Sequence, residues 1–230
     1  DKRPCLDLPP VVPSFIPVDL GPEARRVYKE VNDHFVSEVK SGVVNASNAL
    51  VKVTRLLQIA SGHVGVEDAD TGKQRWVEQI DDSKTKACRD IIESIPPDEP
   101  VGVICRFVPN VLQVEALARH MSRPYAEVSG RRHDVRAVWK PEPGEILCIS
   151  QMAGQTGFDC TACCNVIVYS CDAVPGNYEQ VIGRFDRAGQ QRSVSVSHLY
   201  ARGTKDLGVY RSLESKQGVI SQVLSGGSAG

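Results

Sequence analysis

Two arginines, a glutamine and a glycine stand at spacings that could grip a phosphate. In the stretch Gln180-Val-Ile-Gly-Arg-Phe-Asp-Arg-Ala-Gly-Gln190, Gln180, Arg184 and Arg187 fall at i, i+4 and i+7. They share one face if a helix runs from Tyr178 to Ala188 and stops at Gly189, a residue type suited to a helix stop. A guanidinium is a planar fork of N–H donors that matches two phosphate oxygens at once. Gly183 costs a helix roughly 1 kcal/mol relative to alanine, which points to close packing beside Arg184. A solvated basic helix face has the same pattern, and spacing alone does not separate the two.

Further stretches carry polar chemistry. Ser150-Gln-Met-Ala-Gly-Gln-Thr-Gly-Phe-Asp159 follows an apolar run, and its small hydroxyl residues and two glycines would let backbone amides approach a phosphate, or form a plain turn. Arg106-Phe107 leaves the apolar run Val101 to Cys105. Arg131, Arg132, Arg136 and Lys140 surround His133 and Trp139. Such a cluster suits nucleic-acid phosphates held without sequence reading, and a solvated helix face explains it as well. Cys160-Thr-Ala-Cys163 has the spacing of a metal-ligand pair, yet no second pair stands at similar spacing, so no zinc site is expected.

The elements that must position these groups follow from periodicity. Arg3 to Ser14 is proline-rich and reads as an extended linker, and Phe15 to Leu20 as a short strand. Ala24, Val27, Val31 and Phe35 recur at helical steps, and a second helix is expected from Ala46 to Ala60, stopping near Ser61-Gly62. Val64 to Gln79 gives no clear pattern. From Asp81 onward strands and helices alternate: a helix after Asp82-Ser83-Lys84, a buried strand Val101 to Cys105, a helix Val111 to Met121, a strand Tyr125 to Val128 and a basic helix Arg131 to Trp139. Strands Ile146 to Ser150, Asn165 to Ser170 and Ser193 to Tyr200 and a closing helix Lys205 to Leu224 complete the series. This alternation predicts an α/β fold, a parallel sheet sandwiched by helices, with active groups at the carboxyl ends of the strands.

Gln180, Gly183, Arg184 and Arg187, followed by Gly189-Gln190, resemble motif six of the superfamily-two helicases, and the Gly-Gln ending resembles the Swi/Snf-type branch of DNA translocases. Ser150, Ala153, Gly154 and Gly157 match motif five of that branch, where Gln155 replaces a glycine, Asp159 an asparagine and Cys160 a leucine. Arg106-Phe107 resembles motif four, Leu8-Pro9-Pro10 the entry to the second lobe, and Thr54 to Ile59, loosely, a helix of that lobe. Pro175 and Gln180 fit the approach to motif six, but the family's tryptophan is absent and Tyr178 stands nearby.

The resemblance implies a RecA-like carboxy-terminal lobe over residues 81–230 behind a linker and helical extension over 1–80. It implies arginine-finger catalysis by Arg187 with Arg184, contacts to ATP from Gly157, Asp159, Gln180, Arg184 and Arg187, and contacts to the DNA backbone from Ser150 and Arg106-Phe107. Arg131 and Arg132 are added as nucleic-acid candidates from their charge. No Gly-x-x-x-x-Gly-Lys-Ser/Thr loop and no acidic pair after a strand occurs in the sequence. ATP and Mg²⁺ are therefore expected to be held mainly by an amino-terminal RecA-like lobe, with duplex DNA as the other partner. A non-catalytic nucleic-acid-binding or regulatory module, or an RNA helicase lobe, are the alternatives.

Formal net charge is -1 over 230 residues, so nucleic-acid binding must come from a local patch. No apolar run is long enough to span a membrane. Eight cysteines without a secretory start suggest a reduced, intracellular protein rather than a disulfide framework. The first residue, Asp1, suggests a processed or excised piece.

Overall fold

Five consecutive apolar or small residues, Val101–Cys105, form strand β4, in which every residue is buried. The structure, a computed structural model, describes residues 8–40, 46–67, 74–155, 157–172 and 174–215. β4 pairs in parallel with β6 (Ile146–Ser150) and β7 (Asn165–Val168). β5 (Tyr125–Val128) pairs in parallel with β6, and β7 with β8 (Val194–Ala201). With β1 (Val11–Val18) the sheet has six strands in the order β1-β8-β7-β4-β6-β5.

Continuous apolar strands need cover on both faces. On one face α3 (Ser83–Ser94) and α4 (Val108–His120) bring Cys88, Ile92, Val111, Val114, Leu117 and Ala118 against Val101, Val103, Cys105, Ile146, Cys148 and Ile167. Alternation sends Gly102 and Ile104 to the opposite face. There Phe185 fills the space that Gly102 leaves, since a Cβ at Gly102 would stand 2.7 Å from Phe185 Cε1. The α/β sandwich expected from the sequence is the observed architecture.

The chain divides into two units. Among the described residues, the first comprises 8–16, 85–155, 157–171 and 176–199, and the second 17–40, 46–67, 74–84, 172, 174–175 and 200–215. In the second unit α1 (Pro22–Lys40) and α2 (Ala46–Ala60) bury Ala24, Tyr28, Phe35, Val53, Leu56 and Leu57, the helical spacings that define an inward stripe. Gly62 ends α2 at φ 91°, where a Cβ would meet the Asp81 carbonyl oxygen at 2.3 Å. Asp206 opens α7 (Asp206–Ser215); its carboxylate accepts the Ala201 N–H at 3.0 Å and lies 2.7 Å from Lys84 Nζ in a buried ion pair. Tyr28 Oη accepts the Lys205 N–H at 2.7 Å.

Several expectations need correction. The proline-rich stretch is strand from Val11, and Pro13 is tolerated because β1 lies at the sheet edge. The uninformative segment contains an antiparallel pair, β2 (His63–Glu67) and β3 (Gln74–Gln79). The basic helix shrinks to α5 (Val135–Trp139), leaving Arg131 and Arg132 in a turn. Ser129 Oγ takes the Arg131 N–H at 2.9 Å, Arg132 O takes the Ser129 N–H at 2.8 Å, and the Asp134 side chain takes the Glu127 N–H at 3.0 Å. These local bonds compete with helical ones for the same backbone groups. The strand from Asn165 stops at Val168, and the closing helix is observed to Ser215, its expected remainder lying outside the described residues.

Candidate functional site

Register brings the strand exits together. Cys105 stands opposite Ser150 where β4 and β6 pair, so Arg106 and Ser150 leave neighbouring strands at the same edge. Ser170, just past β7, accepts the Arg106 N–H at 3.0 Å and donates to Asn110 Oδ1 at 2.8 Å. Those bonds fix the β4 exit by a serine and an asparagine that the sequence patterns did not single out. Phe107 is buried, and the Arg106 guanidinium lies 5.6 Å from its ring centroid. Of this pair, Arg106 is the one left to carry the expected nucleic-acid contact, with Phe107 as its support.

The helix that should align the arginines is shorter than expected. α6 runs Pro175–Ile182 and ends at Gly183, not at Gly189. Gly183 N–H still bonds Glu179 O at 2.9 Å, but Arg184 and Phe185 bond three residues back, to Val181 O at 3.2 Å and Ile182 O at 3.0 Å. The close approach inferred at Gly183 comes from the chain's own preceding turn, for a Cβ there would stand 3.1 Å from Glu179 O. Gln180, Arg184 and Arg187 therefore do not share a regular helical face; Gln180 is exposed on the last turn of α6 and the arginines sit in the turns that follow.

Those turns pack on the loop after β6. Cys160 N–H bonds Arg184 O at 2.8 Å, Arg184 Nη1 donates to Phe158 O at 3.3 Å, and its guanidinium lies 5.5 Å from the Phe158 ring centroid. Arg187 Nη1 donates to Asp159 Oδ1, both side chains remaining partly exposed. Burial pushes the Cys160 thiol well above its ordinary range, with the Asp159 carboxylate adding to the effect. Gly157 is exposed, with open space where a Cβ would be. The site thus presents two guanidinium groups, one countered by a carboxylate, beside an open glycine. An anionic phosphate group could compete with Asp159 for Arg187, because an exposed pair of this kind is worth only ~0 to 1 kcal/mol. Ser150 is half-buried at the start of the same loop.

Gln190, known from the sequence only as part of the Gly-Gln ending, holds this loop. Gln190 is buried, and its Nε2 group faces the carbonyls of Thr161, Phe185 and Cys163 at 3.2, 3.3 and 3.4 Å, while its Oε1 accepts the Arg192 N–H at 3.1 Å. His198, on β8, is 1% exposed; Tyr178 Oη lies 2.6 Å from its Nε2.

Arg131 and Arg132 lie apart from the arginine turns in the chain and gather on α4. Their guanidinium groups lie 3.9 and 3.7 Å from Glu115, and Arg132 lies 3.0 Å from Asp134. Among the described residues no group of three or more His, Cys, Asp or Glu side chains could hold a metal ion, and no helix is long and apolar enough to cross a membrane.

No protein-family model matches the chain. The solved structure of the C-terminal part of the Fun30 ATPase domain superposes with a TM-score of 0.69 over 89% of this chain and 88% of that one, at 15% identity. The chain has the fold of a carboxy-terminal Swi/Snf-type RecA-like lobe. The chain also aligns over 99% of its length with 49% of the Sulfolobus solfataricus SWI2/SNF2 ATPase core in complex with dsDNA, at TM-score 0.65 and 20% identity. In sequence, 84 residues are 38% identical to the chromatin-remodeling ATPase INO80 of Cryptococcus neoformans, covering 36% of the lobe and 4% of that protein. An alignment of 86 residues, 36% identical, relates the chain to the mouse chromodomain-helicase-DNA-binding protein 1-like, over 37% of this chain and 10% of that protein. The aligned stretches are thus a small part of these relatives. The strand exits, the loop after β6 and the arginine turns lie in one unit of the chain.

Proposed function

We propose that the chain is the second motor lobe of an ATP-dependent DNA translocase, supplying an arginine finger from Arg187, with Arg184 beside it, and DNA-backbone contacts from Ser150 and Arg106. The observation that carries this reading is the seating of both arginines on the loop after β6, where an exposed glycine and a partly exposed carboxylate leave room for a charged ligand. Gly157, Asp159 and Gln180 are the accompanying contacts to ATP. The phosphate loop and the magnesium ligands come from an amino-terminal RecA-like lobe. Positive charge placed where negative charge develops on a transferred phosphoryl group lowers its barrier, and an arginine finger gains about 10³ to 10⁵ in rate. Duplex DNA is the suggested partner, as the Sulfolobus solfataricus core was solved in complex with it.

The test is ATP hydrolysis by the chain alone and by the chain joined to an amino-terminal RecA-like lobe, each with and without duplex DNA, single strands or RNA. No turnover alone and duplex-stimulated turnover when joined is the expected result. Turnover by the chain alone would overturn the divided site. One observation favours a second reading: Arg187 is already held by Asp159, where the family pattern has a neutral asparagine. DNA binding without ATP hydrolysis by the joined protein would select a non-catalytic module instead.

A further inference from the structure

Half-buried Tyr178 and buried His198 form a polar pair that the function proposed above does not use. His198 Nδ1 lies 3.1 Å from the Ser14 carbonyl oxygen. A carbonyl only accepts, so Nδ1 carries the proton, and the neutral ring offers Nε2 as an acceptor. Tyr178 Oη, 2.6 Å away, donates to it. The Phe15 ring stacks on the imidazole at 4.9 Å between centroids and 21° between planes. Burial holds the His198 pKa down, to about 4, in keeping with a neutral ring. His198 is thereby fixed from strand β1, and it in turn holds the helix that leads into the arginine turns.

Two anchors fix that helix and its exit. At the far end Phe185, fully buried, occupies the notch at Gly102. At the near end Tyr178 reaches His198 on β8. Gln180 and Arg184 lie between these anchors in the chain, and Arg187 lies two residues beyond the second. α6 has only eight residues, too few to be held by its own backbone bonds.

We infer that Tyr178 is a positioning residue: its hydrogen bond to His198 sets the seating of α6 and through it the placement of Arg184 and Arg187. This inference rests on the functional reading only for its kinetic consequence; the seating itself is a property of this chain.

Y178F removes one hydroxyl and keeps the ring, and H198L removes the ring nitrogen that accepts it. In amide NMR spectra of the 230-residue chain, Y178F is expected to shift the resonances of residues 183–187 as well as its neighbours. At residues 183–187 the double variant is expected to shift no further than H198L alone, because the Tyr178 hydroxyl acts there only through His198. In the protein joined to a nucleotide-binding lobe, DNA-stimulated kcat is expected to fall about tenfold or more while KM for ATP stays within about twofold, since positioning acts on the transition state. Shifts confined to 176–180 and 196–200, or a kcat within about twofold of wild type, would overturn the inference. If the joined wild-type protein hydrolyses no ATP, the functional reading fails, and the amide shifts still decide the seating. A Y178F chain too unstable to measure is replaced by H198L, read in the same spectra.

Discussion

Arg187 and Asp159 form an ion pair that joins the turn after α6 to the loop after β6. A ligand phosphate placed there would meet an arginine already oriented by a carboxylate, and binding would exchange one anionic partner for another. The pair is partly exposed, so its rupture costs little.

Arg187→Ala in the joined protein should lower turnover by about 10³-fold or more while ATP affinity changes much less, as expected when charge is supplied mainly to the transition state. Steady-state kinetics with single-turnover controls measures both. Turnover within about threefold of wild type would remove Arg187 from the chemistry.

Arg131 and Arg132 share Glu115 and remain partly exposed. If they bind DNA phosphates, each alanine substitution should weaken binding uniformly across sequences and reduce the slope of log affinity against log salt by about 1. Fluorescence anisotropy with a duplex at several salt concentrations gives the slope. An unchanged slope in the double variant would assign the pair to the turn alone.

Gly102→Ala puts a methyl group 2.7 Å from the Phe185 ring in a packed interior. Overpacking of this kind costs about 1 to 3 kcal/mol. Urea unfolding should show the loss as a lower midpoint with an unchanged slope; an unchanged midpoint would mean that the ring moves aside freely.

His198 gives stability a pH dependence. Its folded pKa is about 4, below the usual 6.5, because burial disfavours the charged ring. The unfolded chain then binds more protons between those values, so stability is fully present above pH 6.5 and lost as pH falls toward 4. The full difference corresponds to roughly 3 kcal/mol. Unfolding titrations at pH 7, 5.5 and 4.5 should show a steeper acid loss in wild type than in H198Q, and equal slopes would remove the histidine from the account.

Residue type sufficed for the strand Val101–Cys105, because burial on both faces leaves an uninterrupted apolar run, and helical spacing sufficed for Ala46–Ala60, because one face is buried; the alternation of such elements gave the α/β class. The family resemblance also marked Arg184, Arg187 and Asp159 as candidate contacts to ATP and Ser150 as a candidate contact to the DNA backbone. It did not reveal where α6 ends, because Gly183 and Gly189 are both possible stops and tertiary packing chose between them. Phe185 turns into the Gly102 notch, and Gln190 gathers the carbonyls of Thr161, Cys163 and Phe185. The basic helix was lost in the same way, to bonds from Ser129 and Asp134 that periodicity cannot register. Pairings such as Arg187 with Asp159 and Tyr178 with His198 join residues 28 and 20 positions apart, and only the register of a folded sheet brings such groups to hydrogen-bond distance.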